Sequence, residues 1–313
     1  MTRYVGIDVG GTAVKFGLAD ASGAILDQDQ TATPEGREPL LGLLAQIAQG
    51  FRARHEIAGV GVGTAGVVDF ETGTVIGHSP HLEGWAGTPV AASLSKRLNL
   101  PVIVDNDANC MALAETYLGA GAGCSSVFFL TLGTGVGSAF VHNGRLWRGS
   151  HSMGGEFGHA TVVKDGRPCA CGQRGHLEAY ASATAIVLRT VELARRGLPS
   201  MYGQVSDEAA GALGSREIFA AAASGDAAAA QAIAEAASYL ACGIASAVNL
   251  LDPERVVLGG GMITSDSPFL KTVEQEVKAR VHEGLTDLVQ VVPASLGNQA
   301  GWVGAALLAA RPE

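Results

Sequence analysis

The chain lacks a basic excess. Lysine and arginine total 21 against 30 acidic residues, a formal net charge of −9. Nucleic-acid binding rests on cations that neutralise phosphates, so this balance argues against nucleic acid as the main partner. A single nucleotide is not excluded, because a few amides and a magnesium ion can hold one. Cysteine is scarce as well, and five in 313 residues do not make a disulfide framework. Cys110, Cys124 and Cys242 stand among small or apolar residues and read as buried small hydrophobes. No long apolar run is free of polar residues. The nearest, Ala227 to Leu251, contains Gln231, Glu235, Ser238 and Asn249, which predicts a buried alanine-rich helix rather than a membrane span. A strand pattern begins at Tyr4-Val5-Gly6-Ile7, leaving no room for a signal peptide. The expectation is a cytoplasmic protein with reduced thiols and neither membrane nor nucleic acid as partner.

Hydrophobic residues make up 47%, and the 43 glycines fall in short runs rather than in a repeat. That composition suits two packed lobes of roughly 150 residues with backbone-lined loops between elements.

The densest chemistry lies between Gly154 and Glu178. It reads Gly154-Gly155-Glu156-Phe157-Gly158-His159, a loop, Cys169-Ala170-Cys171-Gly172, then Gly175-His176-Leu177-Glu178. Two thiols and two imidazoles within eighteen residues can fill the four positions of a structural zinc site: His159, Cys169, Cys171 and His176. The Cys-x-Cys spacing disfavours both a disulfide between neighbours and a redox Cys-x-x-Cys pair. Gly172 and Gly175 give the loop the freedom to turn both thiolates to one ion. Glu156 and Glu178 bracket the site, and ionised carboxylates beside an imidazole suit the hydroxyl donors of a sugar.

Read in order, the chain opens with strands at Tyr4–Val9, Val14–Ala19 and Ala24–Leu26. Asp8 ends the first, and Gly10-Gly11-Thr12 form a turn that lets a phosphate approach the backbone, with Asp8 placed to hold magnesium through water. An ordinary hairpin would use the same glycines. Residues 39–54 have helical spacing, and Val60–Val68 reads as a strand containing Gly63-Thr64-Ala65-Gly66, against which a ligand can lie. Residues 78–85 read as a loop. The strand Val102–Val104 runs into Asp105-Asn106-Asp107-Ala108-Asn109 and a helix over 108–118. One Asn or Asp suffices as an N-cap, and four in five residues exceed that need.

The opening theme then recurs. Val127–Leu132 is a strand, Gly133-Thr134-Gly135-Val136-Gly137 a glycine turn, Ser138–His142 the returning strand, and Asn143-Gly144 a hairpin turn. Such a repeat predicts two related lobes whose glycine loops clasp a polyphosphate. Helices are expected over 179–196, most of 215–248, 268–279 and 298–310, with strands at 255–258 and 289–292. The first of those strands ends in Gly259-Gly260-Gly261, suited to close approach by a nucleotide.

These motifs, in this order, resemble the ROK family (repressors, open reading frames and sugar kinases) along essentially the whole chain, most closely its bacterial glucokinases around residues 119–186. The resemblance implies an α/β, actin-like (hexokinase-like) ATPase fold of two lobes, residues 1–118 with 298–313 and residues 119–297, each a mixed sheet flanked by helices. It implies transfer of phosphate from ATP to the 6-hydroxyl of glucose, with Asp107 as general base. The sugar would be held by Gly66, Asn106, Asp107, Glu156, His159 and Glu178. The nucleotide and its Mg2+ would be held by Asp8, Gly10, Gly11, Thr12, Lys15, Gly133, Thr134, Gly135, Gly259, Gly260 and Gly261. Zinc would be structural. At two positions the chain departs from the family pattern: His176 stands where a third cysteine is usual, and His81 where Pro-Asn-Leu is common. N-acetylglucosamine, N-acetylmannosamine, mannose and fructose kinases share the motifs, polyphosphate is an alternative donor, and some members are sugar-responsive repressors with an added DNA-binding segment. A sugar-binding protein without catalysis is a further alternative. The family also implies a homodimer or homotetramer.

Overall fold

A computed structural model describes residues 2–77, 82–263 and 267–311. In chain order its elements are β1 (Arg3–Val9), β2 (Ala13–Asp20), β3 (Ile25–Ala32), α1 (Arg37–Arg52), β4 (Gly59–Thr64), β5 (Val68–Asp69), β6 (Thr74–Val75), β7 (Thr88–Pro89), α2 (Val90–Leu98), β8 (Val102–Asn106) and α3 (Asp107–Leu118). There follow β9 (Ser126–Leu132), β10 (Val136–His142), β11 (Arg145–Leu146), α4 (Glu178–Ala181), α5 (Ala183–Arg195), α6 (Asp207–Ala212), α7 (Ser215–Ala223), α8 (Ala227–Leu251), β12 (Arg255–Gly259), α9 (Pro268–Lys278), β13 (Val291–Pro293) and α10 (Ala300–Ala310). The chain divides into two compact units, one of Met1–Val127, Ala139–Gly155 and Ser295–Glu313, the other of Phe128–Ser138 and Glu156–Ala294.

In the first unit the five-stranded sheet has the order β3-β2-β1-β4-β8. The β1–β2 and β2–β3 pairs are antiparallel, while β1–β4 and β4–β8 are parallel. Helix α10, buried from Ala300 to Leu308, lies on this sheet at backbone distance. Glycine makes that approach possible: a Cβ at Gly61 of β4 would fall 1.7 Å from the Ala305 carbonyl oxygen, and one at Gly6 of β1 would fall 1.9 Å from that of Trp302. Alternate residues of β1 and β4 (Val5, Ile7, Val60, Val62) pack into a core with Leu40, Leu41, Leu44 and Phe51 of α1.

The second five-stranded sheet has the order β11-β10-β9-β12-β13. Counted along the chain, both sheets run third, second, first, fourth, fifth. The recurrence seen in the sequence is therefore a recurrence of topology. Helix α8 is long and apolar enough to cross a membrane, but half of that stretch is buried, and it packs against α4, α5, α7 and α9.

Several expectations are corrected. The strand expected over 60–68 ends at Thr64, because Gly66 turns the chain with φ of +96°. The helix expected over 179–196 breaks at Ser182, whose Oγ accepts from the Ala185 N–H as the N-cap of α5. Asp226 does the same for α8, separating it from α7. Edge strand β3 runs on to Ala32 through a polar stretch, held by its ladder to β2 rather than by apolar burial. Helix α2, which no expected element covers, carries Val90, Leu94 and Leu98 inward. Of the three cysteines expected as buried hydrophobes, Cys110 is buried, Cys124 is half-buried and Cys242 is exposed, since it points away from the packed face of α8. Part of the expected loop at 78–85, including His81, lies outside the described residues.

Candidate active site

In the first unit the chemistry gathers where β8 runs into α3. Asn106 is the N-cap: its Oδ1 accepts from the backbone N–H of Ala108 at 2.9 Å and of Asn109 at 3.3 Å, and its Nδ2 donates to the Gly66 carbonyl at 3.2 Å. With the cap supplied by Asn106, Asp107 becomes the first helical residue. Its Oδ1 accepts from the Ala108 N–H at 2.9 Å, and burial raises its carboxyl above the usual range against the pull of that bond. Asp105, 1% exposed, accepts from the Asn106 N–H at 2.7 Å and from Asn109 Nδ2 at 2.8 Å, and pairs with Arg148. The surplus of Asn and Asp thus has three distinct employments: a cap, a carboxylate at the helix start, and a buried anchor.

The first glycine turn lies in the same unit. Gly10 N–H donates to the Ala13 carbonyl at 3.1 Å, and Thr33 Oγ1 donates to the Gly10 carbonyl at 2.6 Å, fixing the turn while Gly11 and Thr12 stay exposed. Asp8 is 7% exposed, and its carboxyl is pushed up to about 7 by burial and the neighbouring charge of Asp107, with Lys15 opposing. Lys15 is paired with Asp8 across β1–β2. Asp8 also lies at the first turn of α10, where a Cβ on Gly301 would fall 2.5 Å from its Oδ2.

In the second unit the loop of residues 159–176 doubles back on itself through isolated bridges Thr161–His176 and Pro168–Arg174. Gly175 has φ of +77°, and a Cβ there would fall 1.8 Å from the Val163 carbonyl oxygen, so the tight return requires glycine. The ligand atoms of His159, Cys169, Cys171 and His176 all lie within 4.8 Å of one another. Cys169 Sγ is 3.7 Å from His159 Nδ1, and Cys171 Sγ is 3.2 Å from His176 Nδ1. Sulfur and nitrogen ligands of one tetrahedral zinc stand about 3.5 Å apart, so the donor set fits such an ion in number, softness and spacing. Burial, together with Cys171 and the charge of Glu178, pushes the Cys169 thiol up to about 11, a crowding that a divalent cation relieves. His159 Nε2 lies 3.9 Å from the Glu156 carboxylate.

Glu178 links this loop to the second glycine turn. Its Oε1 is 3.6 Å from Cys169 Sγ, and its Oε2 accepts from the Val136 N–H at 3.1 Å. The turn itself is tied to the start of α5, since the Ala183 N–H donates to the Gly133 carbonyl at 2.8 Å and Thr184 Oγ1 to the Thr134 carbonyl at 3.0 Å. Two cavities meet at Thr134. One, of about 400 Å³, is lined by Cys169, Glu178 and Arg189 among others. The other, of about 360 Å³, is lined by Gly133, Thr134, Thr184, Gly214 and Gly261.

The structure thus brings Gly66, Asn106 and Asp107 together in one unit, with Asp8 and Lys15 paired in the same unit. Glu156, His159 and Glu178 gather around the Cys/His loop in the other. Of the last glycine run, Gly261 lines the second cavity, while Gly260 is packed on the Leu132 backbone and Gly259 on the Phe129 ring. Gly135 faces Glu178 rather than a cavity. Sequence reasoning missed Arg148, which lies 43 residues from its partner Asp105 with no motif to join them. It also missed Thr184, although a hydroxyl just past a helix cap could have flagged it.

The ROK family model matches residues 4–311. A glucokinase of Halalkalibacterium halodurans is 35% identical over 99% of this chain and 96% of its own length. Among solved structures, a ROK hexokinase from Thermus thermophilus superposes with a TM-score of 0.85 at 34% identity, covering 98% of each chain. A ROK family glucokinase from Streptomyces griseus, in complex with glucose and AMPPNP, superposes with a TM-score of 0.80 at 34% identity over 98% of this chain and 99% of that one.

Proposed function

The chain belongs to the ROK family and has its actin-like ATPase fold, and we propose that it is an ATP-dependent sugar kinase acting on the 6-hydroxyl of glucose. The observation that carries this reading is the division of labour at the start of α3. Because Asn106 caps the helix, the Asp107 carboxylate is left for chemistry, and burial makes it a stronger proton acceptor than an exposed aspartate.

The reaction requires the acceptor oxygen and the terminal phosphate to be held in line. Asp107 takes the proton of the attacking hydroxyl, so that the oxygen bonds to phosphorus as the ADP oxygen leaves. Asn106 and Gly66 are assigned to the sugar, Glu156 and Glu178 accept hydrogen bonds from its hydroxyls, and the Nε2–H of His159, whose Nδ1 faces Cys169, donates one. The backbone amides of Gly11, Thr12, Thr134 and Gly135 would hold the phosphates, while those of Gly10 and Gly133 close their own turns on the Ala13 and Gly135 carbonyls. Lys15 would add positive charge there, and Asp8 would hold the magnesium that arrives with ATP. Of the last glycine run, Gly261 serves the nucleoside end, with Gly259 and Gly260 packed against Phe129 and Leu132. In support, the cavity of about 360 Å³ beside Gly133, Thr134 and Gly261 has the size of a small-ligand site.

A zinc ion on His159, Cys169, Cys171 and His176 would be structural, fixing the loop that carries the sugar-binding side chains. The chemistry of the donor set supports it: two soft sulfurs and two imidazoles whose ligand atoms lie within 4.8 Å of one another.

A coupled assay over glucose, mannose, fructose, N-acetylglucosamine and N-acetylmannosamine, with ATP or polyphosphate as donor, tests the reading. Glucose with ATP should give the highest kcat/KM. A higher value for another hexose changes the substrate, and no turnover with any pair overturns the kinase.

A further inference from the structure

The Arg148–Asp105 pair lies behind the proposed catalytic turn, and neither residue is needed to touch the sugar or the nucleotide. Arg148 Nε donates to Oδ2 of Asp105 at 2.9 Å, and Nη2 forms an ion pair with the same oxygen at 2.8 Å. The Arg148 side chain is 11% exposed and that of Asp105 2%. The guanidinium lies over the Phe70 ring, its Cζ 3.6 Å from the ring centroid. The other oxygen of Asp105 accepts from the Asn106 N–H and from Asn109 Nδ2. Those two residues flank Asp107. The arginine's own backbone is held too: its carbonyl accepts from the Gly154 N–H at 2.7 Å, and Ser152 Oγ accepts from the Phe70 N–H at 3.3 Å.

A buried carboxylate without a cation is strongly disfavoured, and it would take up a proton or turn toward water. Either change alters the bonds that Asp105 makes to Asn106 and Asn109. A planar guanidinium that sets two nitrogens on one carboxylate oxygen constrains that oxygen in a way that the point charge of an ammonium does not. The contact with Phe70 holds the guanidinium in turn.

We infer that Arg148 is a positioning residue for phosphoryl transfer: clamped between Phe70 and Asp105, it orients the Asn106–Asp107 segment through the Asp105 carboxylate. The inference rests on the kinase reading and extends it to a residue outside the ligand sites. A displacement of about 1 Å in a reacting group is enough to lower turnover on the order of a hundredfold. The loss belongs in kcat, because the phosphate-binding turns make no use of the pair.

The test is steady-state kinetics of the full chain with Arg148→Ala, Arg148→Lys and wild type, with melting curves for each. Expected is a fall in kcat of at least tenfold for both variants, with the KM for ATP within about twofold of wild type. Added guanidinium should restore at least a fifth of the lost kcat of Arg148→Ala, whereas ammonium at equal concentration should restore none, since it lacks the planar fork. An unchanged kcat in either folded variant overturns the inference, as does equal rescue by both cations. Should Arg148→Ala fail to fold, Arg148→Lys decides by its kcat alone. If wild type phosphorylates no hexose in the same assay, it is the kinase reading that fails, not the placement of Arg148.

Discussion

Glu178 Oε2 accepts a hydrogen bond from the backbone N–H of Val136 at 3.1 Å, so the carboxylate next to the Cys/His loop is seated on the second glycine turn. One oxygen is committed to that turn and the other faces Cys169. Replacing Glu178 by Gln keeps the shape and an oxygen for the Val136 amide but removes the charge. A hydrogen bond to a charged group contributes about 1.5–3 kcal/mol, so glucose affinity should fall by at least ~10-fold. ATP affinity should change less. Titration calorimetry with each ligand separately checks the order, and a larger loss for ATP would move Glu178 out of the sugar site.

Metal analysis of the purified protein should find about one zinc per chain, and a strong chelator should lower the melting temperature. Cys169→Ala should lose most of that zinc if, as proposed, its thiolate is one of four ligands. Full zinc content in Cys169→Ala would remove this residue from the ligand set.

The Asp8 carboxyl titrates near 7 in the folded protein against an ordinary 3.8. Between those values the unfolded chain releases a proton that the folded chain keeps, so stability falls as pH rises from about 4 to about 7. Asp8→Asn removes this dependence. Without magnesium or nucleotide, its melting temperature relative to wild type should climb between pH 4.5 and about pH 7 and level off toward pH 8. A difference that stays constant across that range would show that Asp8 titrates as an ordinary carboxylate.

Gly61 and Gly42 make a matched pair for the packing of the first unit. A Cβ at Gly61 meets the Ala305 carbonyl at 1.7 Å, so Gly61→Ala should cost about 3 kcal/mol by forcing α10 off the sheet. Gly42 lies within α1 with nothing within 4 Å of its added Cβ, so Gly42→Ala should stabilise by roughly 0.5–1 kcal/mol. Chemical denaturation of the two variants checks both signs at once.

What could be read from the sequence followed local rules. Glycine turns between short apolar strands announced the repeat, and the Cys/His spacing announced the loop that the fold brings within 4.8 Å. Gly172 and Gly175, expected to allow the tight return, both have positive φ. What was hidden depended on distant partners or on single caps inside long apolar patterns. Ser182 stops α4 and starts α5 among residues that favour continuing, while α7 stops at Ala223 and Asp226 caps the start of α8. Helix α2 has its inward residues at four-residue spacing, but only three of them. Arg148 could be placed on Asp105 only once the chain was folded.

The central claim is that Asp107 accepts the hydroxyl proton during phosphoryl transfer. Its most direct test is the single-turnover rate of hexose phosphorylation by Asp107→Asn, measured alongside sugar affinity. The account predicts a rate reduced at least ~100-fold with sugar affinity within a few-fold of wild type. A near-normal rate, or a loss explained wholly by failure to bind sugar, would contradict it.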